Sequence, residues 1–155
     1  MKVHLIAIGA KSPAWISQGF SDYQQRLSRW IHLDLIEIAS ARRTNGPVAR
    51  AIDTEGSRVL ARITPQNYVV ALDGSGQAWS SADIAVQVEK WKMRGQDICL
   101  LIGGPDGHAP TALARATERW SLGPLTFPHC LVRLLVVEQL YRAASLNANH
   151  PYHRA

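Results

Sequence analysis

Residues 98–102 read Ile-Cys-Leu-Leu-Ile, apolar at every position, and run without a spacer into Gly103-Gly104-Pro105-Asp106-Gly107. A five-residue segment with no polar face is poorly suited to a sheet that shows one side to water. It reads as a strand covered on both faces, the situation of strands in a parallel sheet flanked by helices. Val3 to Ile8 has nearly the same character, and so has Tyr68 to Leu72. Three such strands in one chain call for helices between them to cover both faces.

The intervening segments supply those helices. A helix starts at Pro13 and carries Trp15, Ile16, Phe20, Tyr23, Leu27 and Trp30 at helical spacing. Leu33 to Ala39 is the second strand, and Arg42 to Pro47 a polar loop. A helix is expected over 48–62. The third strand, Tyr68 to Leu72, ends at Asp73-Gly74-Ser75-Gly76. A helix capped by Ser81 or Asp83 runs to Arg94, with Gly95 as its stop. After the strand at 98–102, Pro110 opens a short helix reaching Arg119, and Trp120 to Leu122 is a short fifth strand. The last helix spans about 130–146, where Glu138 and Arg142 stand four apart in the favourable order for an ion pair. The expected fold is α/β: one domain over 1–155, with a parallel sheet flanked by helices.

Ligands in open α/β sheets bind outside the carboxyl ends of the strands. Three of those ends carry glycine: Leu72-Asp73-Gly74, Ile102-Gly103-Gly104 and Leu122-Gly123. One cleft built from all three is the simplest arrangement. The turn after Ile102 lacks the G-x-G-x-x-G spacing of a dinucleotide site and the Gly-Lys-Ser/Thr of a phosphate loop. There is no Gly-x-Ser-x-Gly elbow and no metal-spaced cluster, so no metal is expected. Cys99 and Cys130 read as reduced thiols. Residues 1–8 are too short for a signal peptide, and no apolar run reaches membrane length, so a cytoplasmic protein with no membrane partner is expected. A net charge of +5 gives a mild pull toward polyanions.

The chain ends on Asn149-His150-Pro151-Tyr152-His153-Arg154-Ala155, unusually rich in reactive types for a terminus. With Leu100 to Gly107, Pro128-His129-x-Leu131-Val132-Arg133, and Glu138 to Ala143, this ending resembles the RlmH family of the SPOUT class, the ribosomal RNA large-subunit pseudouridine N3-methyltransferases. The similarity runs from Met1 to Arg154, and the terminal His-Pro-Tyr-His-Arg is its most specific part. Asp106 stands where glutamate is more usual in the family.

The resemblance implies a C-terminal trefoil knot, with knot and cofactor site over about 98–155. It implies S-adenosyl-L-methionine held by Leu72, by Gly103 and Gly104, and by Leu122, Gly123, Pro124, Leu125, Thr126 and Phe127. It implies a homodimer with the active site completed across the interface. The substrate would be a pseudouridine of 23S ribosomal RNA, at the subunit interface of the assembled ribosome. The last helix, apolar on more than one side at Leu134, Val137, Leu140 and Tyr141, is expected to contribute to the dimer.

N3 of pseudouridine lies between two carbonyls and carries a proton that must leave before it can attack. His129 or His153 suits that proton; the sequence does not decide which of them acts, and a positioned water or the electrostatic field alone also suffices. Arg133, Arg154 or both suit charge developing on a flanking carbonyl oxygen, or a phosphate. Tyr152 suits stacking on the base. Because the tail is terminal, it is expected to add little to core packing.

Overall fold

The computed structural model describes residues 1–9, 11–43 and 46–154. Thr44 and Asn45 of the expected polar loop lie outside the described residues, as do Ala10 and Ala155. The chain alternates strand and helix: β1 (Lys2–Ile8), α1 (Ala14–Leu27), β2 (His32–Ile38), α2 (Val48–Leu60), β3 (Tyr68–Ala78), α3 (Ser81–Arg94), β4 (Ile98–Ile102), α4 (Pro110–Arg115), β5 (Glu118–Ser121) and α5 (His129–Asn147), followed by a single 3-10 turn, Pro151–His153. The strands form one sheet in the order β2-β1-β4-β3-β5, every adjacent pair parallel.

The uniformly apolar β4 is central, and its side chains alternate between two cores. Ile98, Leu100 and Ile102 join Phe20, Leu27, Ile84, Val88, Val136 and Leu140 from α1, α3 and α5. Cys99 and Leu101 join Ile6, Ile38, Val59, Ala109 and Ala112 on the face covered by α2 and α4. Burial pushes the Cys99 thiol up to about 11, which keeps it protonated and unreactive. Both cysteines are free. Among the described residues no helix is long and apolar enough to cross a membrane.

Several boundaries differ from the sequence expectation. β3 does not stop at Leu72: both Leu72 and Gln77 pair with Trp120, so residues 73–76 are pushed out as a bulge and the strand resumes to Ala78. β5 begins at Glu118 because Val70 and Ala71 pair with Glu118 and Arg119, and this ends α4 at Arg115. The α3 cap is Ser80, whose hydroxyl accepts from the Asp83 N–H while the Asp83 carboxylate accepts from the Ser80 N–H.

α5 is buried on several sides because α1 and α3 both pack on it. Val137 and Leu140 are wholly buried and Tyr141 nearly so, all within the protomer's own core, and Leu134 packs on α1 beside Gly19. Val137, Leu140 and Tyr141 are therefore not available to a dimer interface. What α5 leaves half-exposed includes the stripe Leu131, Leu135, Glu138 and Arg142.

Candidate active site

A cavity of about 300 Å³ opens at the carboxyl ends of β3, β4 and β5, in the range of small-ligand sites. All three glycine-bearing strand ends contribute to it. Leu72, Gly103, Gly104, Leu122, Gly123, Leu125 and Phe127 line the cavity, and His129 stands at its edge at the start of α5. Pro124 and Thr126 are exposed and stand outside the lining. Leu125 is 70% exposed, an apolar side chain with nothing over it.

Gly104 to Gly107 form a tight turn, with the Gly107 N–H donating to the Gly104 carbonyl at 3.0 Å and Pro105 at the position its fixed φ favours. The turn folds back so closely that a Cβ on Gly103 would lie 3.1 Å from the Gly107 carbonyl carbon and 3.2 Å from the His108 nitrogen. Glycine at 103 thus lets the loop fold back this closely, where a side chain would press on its backbone. A Cβ on Gly104 would meet Ile8 at 3.2 Å.

Two lining residues escape a search for glycine turns. His108, just past the turn, places Nε2 2.7 Å from the Leu72 carbonyl and ties the loop after β4 to β3. Burial lowers its pKa, with Arg119 acting the same way and Leu72 and Asp73 opposing. The neutral ring donates from Nε2 to that carbonyl. Asp73 opens the bulge and accepts from the Ser75 hydroxyl and N–H, which hold its carboxyl below the usual range. The signal for His108 was its place directly after the turn; for Asp73 it was a carboxylate at a strand end.

The turn is anchored from outside by a fork. Glu55 is 1% exposed, and its carboxylate accepts from Arg43 Nη1 at 2.6 Å, Arg43 Nη2 at 3.2 Å and the Ala41 N–H at 3.0 Å. The same guanidinium donates to Asp106 from Nε at 3.1 Å and Nη2 at 2.9 Å. Both carboxylates raise the Arg43 pKa.

His129 and Arg133 converge on Gly9 at the end of β1. A Cβ there would lie 3.0 Å from His129 Nε2 and 3.7 Å from Arg133 Nη2. Arg133 is buried and pairs with Glu37 at 2.9 Å. It faces a second concavity with Lys11 and Ser12, away from the strand-end cavity.

The tail lies elsewhere. Tyr152 packs on Tyr141, with ring centroids 4.5 Å apart, and its hydroxyl donates to Glu138 at 2.9 Å and lies 3.0 Å from the Tyr23 hydroxyl. Glu138 also takes Arg142 at 2.7 Å, the ion pair read from the sequence. Glu138 is nine residues along α5 from His129, or roughly 14 Å at the helical rise. Within one protomer, Tyr152 is spent on packing against α1 and α5, and His153 and Arg154 adjoin it rather than the cavity. The expectation that the tail adds little to packing does not hold for Tyr152.

A family profile described as "Predicted SPOUT methyltransferase" matches residues 1–153. The chain belongs to the SPOUT methyltransferase family. This SPOUT chain is 55% identical over 156 residues, covering both chains fully, to the Ribosomal RNA large subunit methyltransferase H of Xanthomonas oryzae pv. oryzae. It is 53% identical over the same span to the protein of that name from Stenotrophomonas maltophilia. Among solved structures it is similar to a methylase family protein from Haemophilus influenzae Rd KW20, with TM-score 0.56 at 10% identity over 97% of this chain and 69% of that one. A methylase family protein from Neisseria gonorrhoeae gives 0.53 at 12% identity over 90% and 81%. At these identities the likeness is one of fold, and the parallel sheet with α5 returning beneath it is consistent with a SPOUT knot.

The cavity suits a ligand with an apolar ring system and a polar end. Leu72, Leu122, Phe127 and Val132 offer apolar surface. The Trp120 Nε1–H in its wall is buried without a hydrogen-bond partner among the described residues. The first turn of α5 has no side-chain cap.

Proposed function

We propose that this chain methylates N3 of a pseudouridine in 23S ribosomal RNA of the assembled ribosome, using S-adenosyl-L-methionine as donor and acting in the cytoplasm as a homodimer. The observation that carries the reading is the cavity shared by three strand ends and His129, in a chain that matches proteins named Ribosomal RNA large subunit methyltransferase H end to end. Leu72, Gly103, Gly104 and the 122–127 segment would hold the cofactor, with the backbone N–H groups at the start of α5 as polar donors. S-adenosyl-L-methionine supplies an electrophilic methyl group and needs no metal to do so.

The protein's task is then to position N3 and take its proton. His129 at the cavity edge is placed to accept it. Arg133, one turn along α5, reaches the same end of β1 as His129 with a buried guanidinium held by the half-exposed Glu37, which makes it a positioning residue. His153 and Arg154 adjoin a Tyr152 anchored well along α5, so they serve a cavity only if a second copy brings them to it. This reading calls for two copies that meet along the half-exposed stripe of α5 and the exposed Trp15. The whole chain over 1–155 then acts as one catalytic domain.

The test is mass spectrometry of ribosomal RNA after purified protein and S-adenosyl-L-methionine are added to ribosomes from cells lacking the protein. One methyl group on a single large-subunit pseudouridine is expected. Methylation of free RNA or transfer RNA instead would overturn the substrate assignment.

A further inference from the structure

A concavity of about 710 Å³ lies between the segment after β2 and the start of α2. Arg42, Arg43, Arg50 and Arg58 line it, and among the described residues no carboxylate does. Arg50, Thr54 and Arg58 follow one another at four-residue spacing along a single face of α2, so both arginines point the same way. Arg43 is committed to Glu55 and Asp106, and Arg58 donates to the Ala39 carbonyl at 2.7 Å. Arg42 and Arg50 are exposed and have no ion pair or side-chain hydrogen bond among the described residues. The open concavity against α3 and β5 differs in kind: there Lys90 and Arg119 are offset by Asp83 and Glu118.

The position of this basic hollow matters. It lies beyond the carboxyl end of β2, on the same sheet edge as the strand-end cavity beyond β4 and β3. β2 and β4 are separated by β1 alone, or about 10 Å at the usual strand spacing. Arg43 bridges the two directly, since it lines the hollow and binds Asp106 in the turn over the cavity.

We infer that this hollow grips the phosphodiester backbone of the RNA flanking the target base, with Arg42 and Arg50 as its free phosphate ligands. The inference rests on the proposed RNA substrate and names the surface that docks it. Guanidinium groups in a concave site without acids match phosphate geometry and sign. Contacts of this kind set register and affinity without reading sequence.

The test is binding of purified ribosomes to wild type, R42A/R50A and R42K/R50K at several salt concentrations, with methyl transfer measured in parallel. The alanine pair should bind roughly tenfold more weakly at physiological salt, and its log–log salt slope should be shallower by about 1.5 to 2, one phosphate per arginine. Melting temperature and S-adenosyl-L-methionine affinity should not change, because both side chains are exposed and outside the cavity. Lysine restores the charge and should recover most of the slope. An unchanged slope in the alanine pair, or a lysine pair as weak as alanine, overturns the inference, and so does dependence on these arginines for an acidic protein but not for ribosomes. The reaction assignment fails separately: ribosome binding with the expected slopes but no methyl product leaves the docking surface standing and removes the proposed activity.

Discussion

The start of α5 sits among glycine turns and half-exposed side chains, whereas its far end is closed by aromatic rings in mutual contact. At the start, His129 lines a cavity and its side chain makes no hydrogen bond or ion pair among the described residues. At the end, Tyr141 lies 5.9 Å from Tyr23, 5.8 Å from Trp30 and 4.5 Å from Tyr152, and His150 stacks edge-on against Trp30. One helix thus joins a region built to admit a ligand to a region built to exclude water. Residues of similar type differ in role according to the end they occupy: His129 is available for chemistry, while Tyr152 is largely structural.

The sharpest way to break this contrast is to remove His129. His129→Ala should lower methyl transfer to ribosomes by about 10²–10⁴-fold, the usual yield of a positioned general base, and leave the melting temperature unchanged. Full activity would return the proton to a water or to His153. Mixing His129→Ala with His153→Ala tests the second copy. If tails act across a dimer, a heterodimer of the two variants carries one intact site and regains activity. No regain would place both groups in one protomer's site.

Next in size is the far end. Tyr152→Ala should cost about 2 kcal/mol, less than a fully buried aromatic would. At this chain length that lowers the melting temperature by about 4–8 °C. Truncation after Pro151 should do at least as much, and His153→Ala with Arg154→Ala should do almost nothing to stability. A truncated protein that melts like wild type would mean that the ring cluster adds no stability.

A smaller effect comes from squeezing the start of α5. Gly9 has φ +132°, and a Cβ there would lie 3.0 Å from His129 Nε2. Gly9→Ala should cost about 1–2 kcal/mol through backbone strain and displace the His129 ring. Methyl transfer should fall more than stability does; equal losses would show that the histidine had not moved.

The sequence made some of this legible and hid the rest for physical reasons. β4 was readable to the residue because an all-apolar run between turns has few alternatives, and β1 nearly so. The three glycine-bearing strand ends were local features, and their meeting follows from parallel strands sharing one edge. The continuation of β3 past its bulge was not local: Gly76 is demanded by the Arg119 backbone, 2.6 Å from where its Cβ would be. The Arg43 fork joins positions 43, 55 and 106, with no spacing signal among them. The tail's residue types point to chemistry, and nothing in its own six residues shows that Tyr23 and Glu138 wait for the tyrosine hydroxyl.

The smallest predicted effect uses pH to separate the two ends of α5. Burial holds the His108 pKa below the ordinary imidazole value, because charging the ring beside the cavity costs solvation that the Leu72 carbonyl and Asp73 only partly return. At the far end, burial and the contacts with Tyr23 and Glu138 raise the Tyr152 pKa, so that ring stays neutral through the physiological range. Below the ordinary histidine pKa of about 6.5, unfolded chains bind a proton at His108 that folded chains refuse. Folding stability therefore falls as pH drops from about 6.5 toward the lower folded value, by at most about 1.4 kcal/mol per pH unit for this one group. His108→Gln keeps a donor for the Leu72 carbonyl and removes the titration. Urea midpoints at pH 7.5, 6.5 and 5.5 should then fall less steeply for His108→Gln than for wild type, while Tyr152→Phe should run parallel to wild type. Parallel curves for His108→Gln and wild type would mean that the ring is hydrated as well in the folded protein as in the unfolded chain, and that the cavity edge is wetter than its geometry shows.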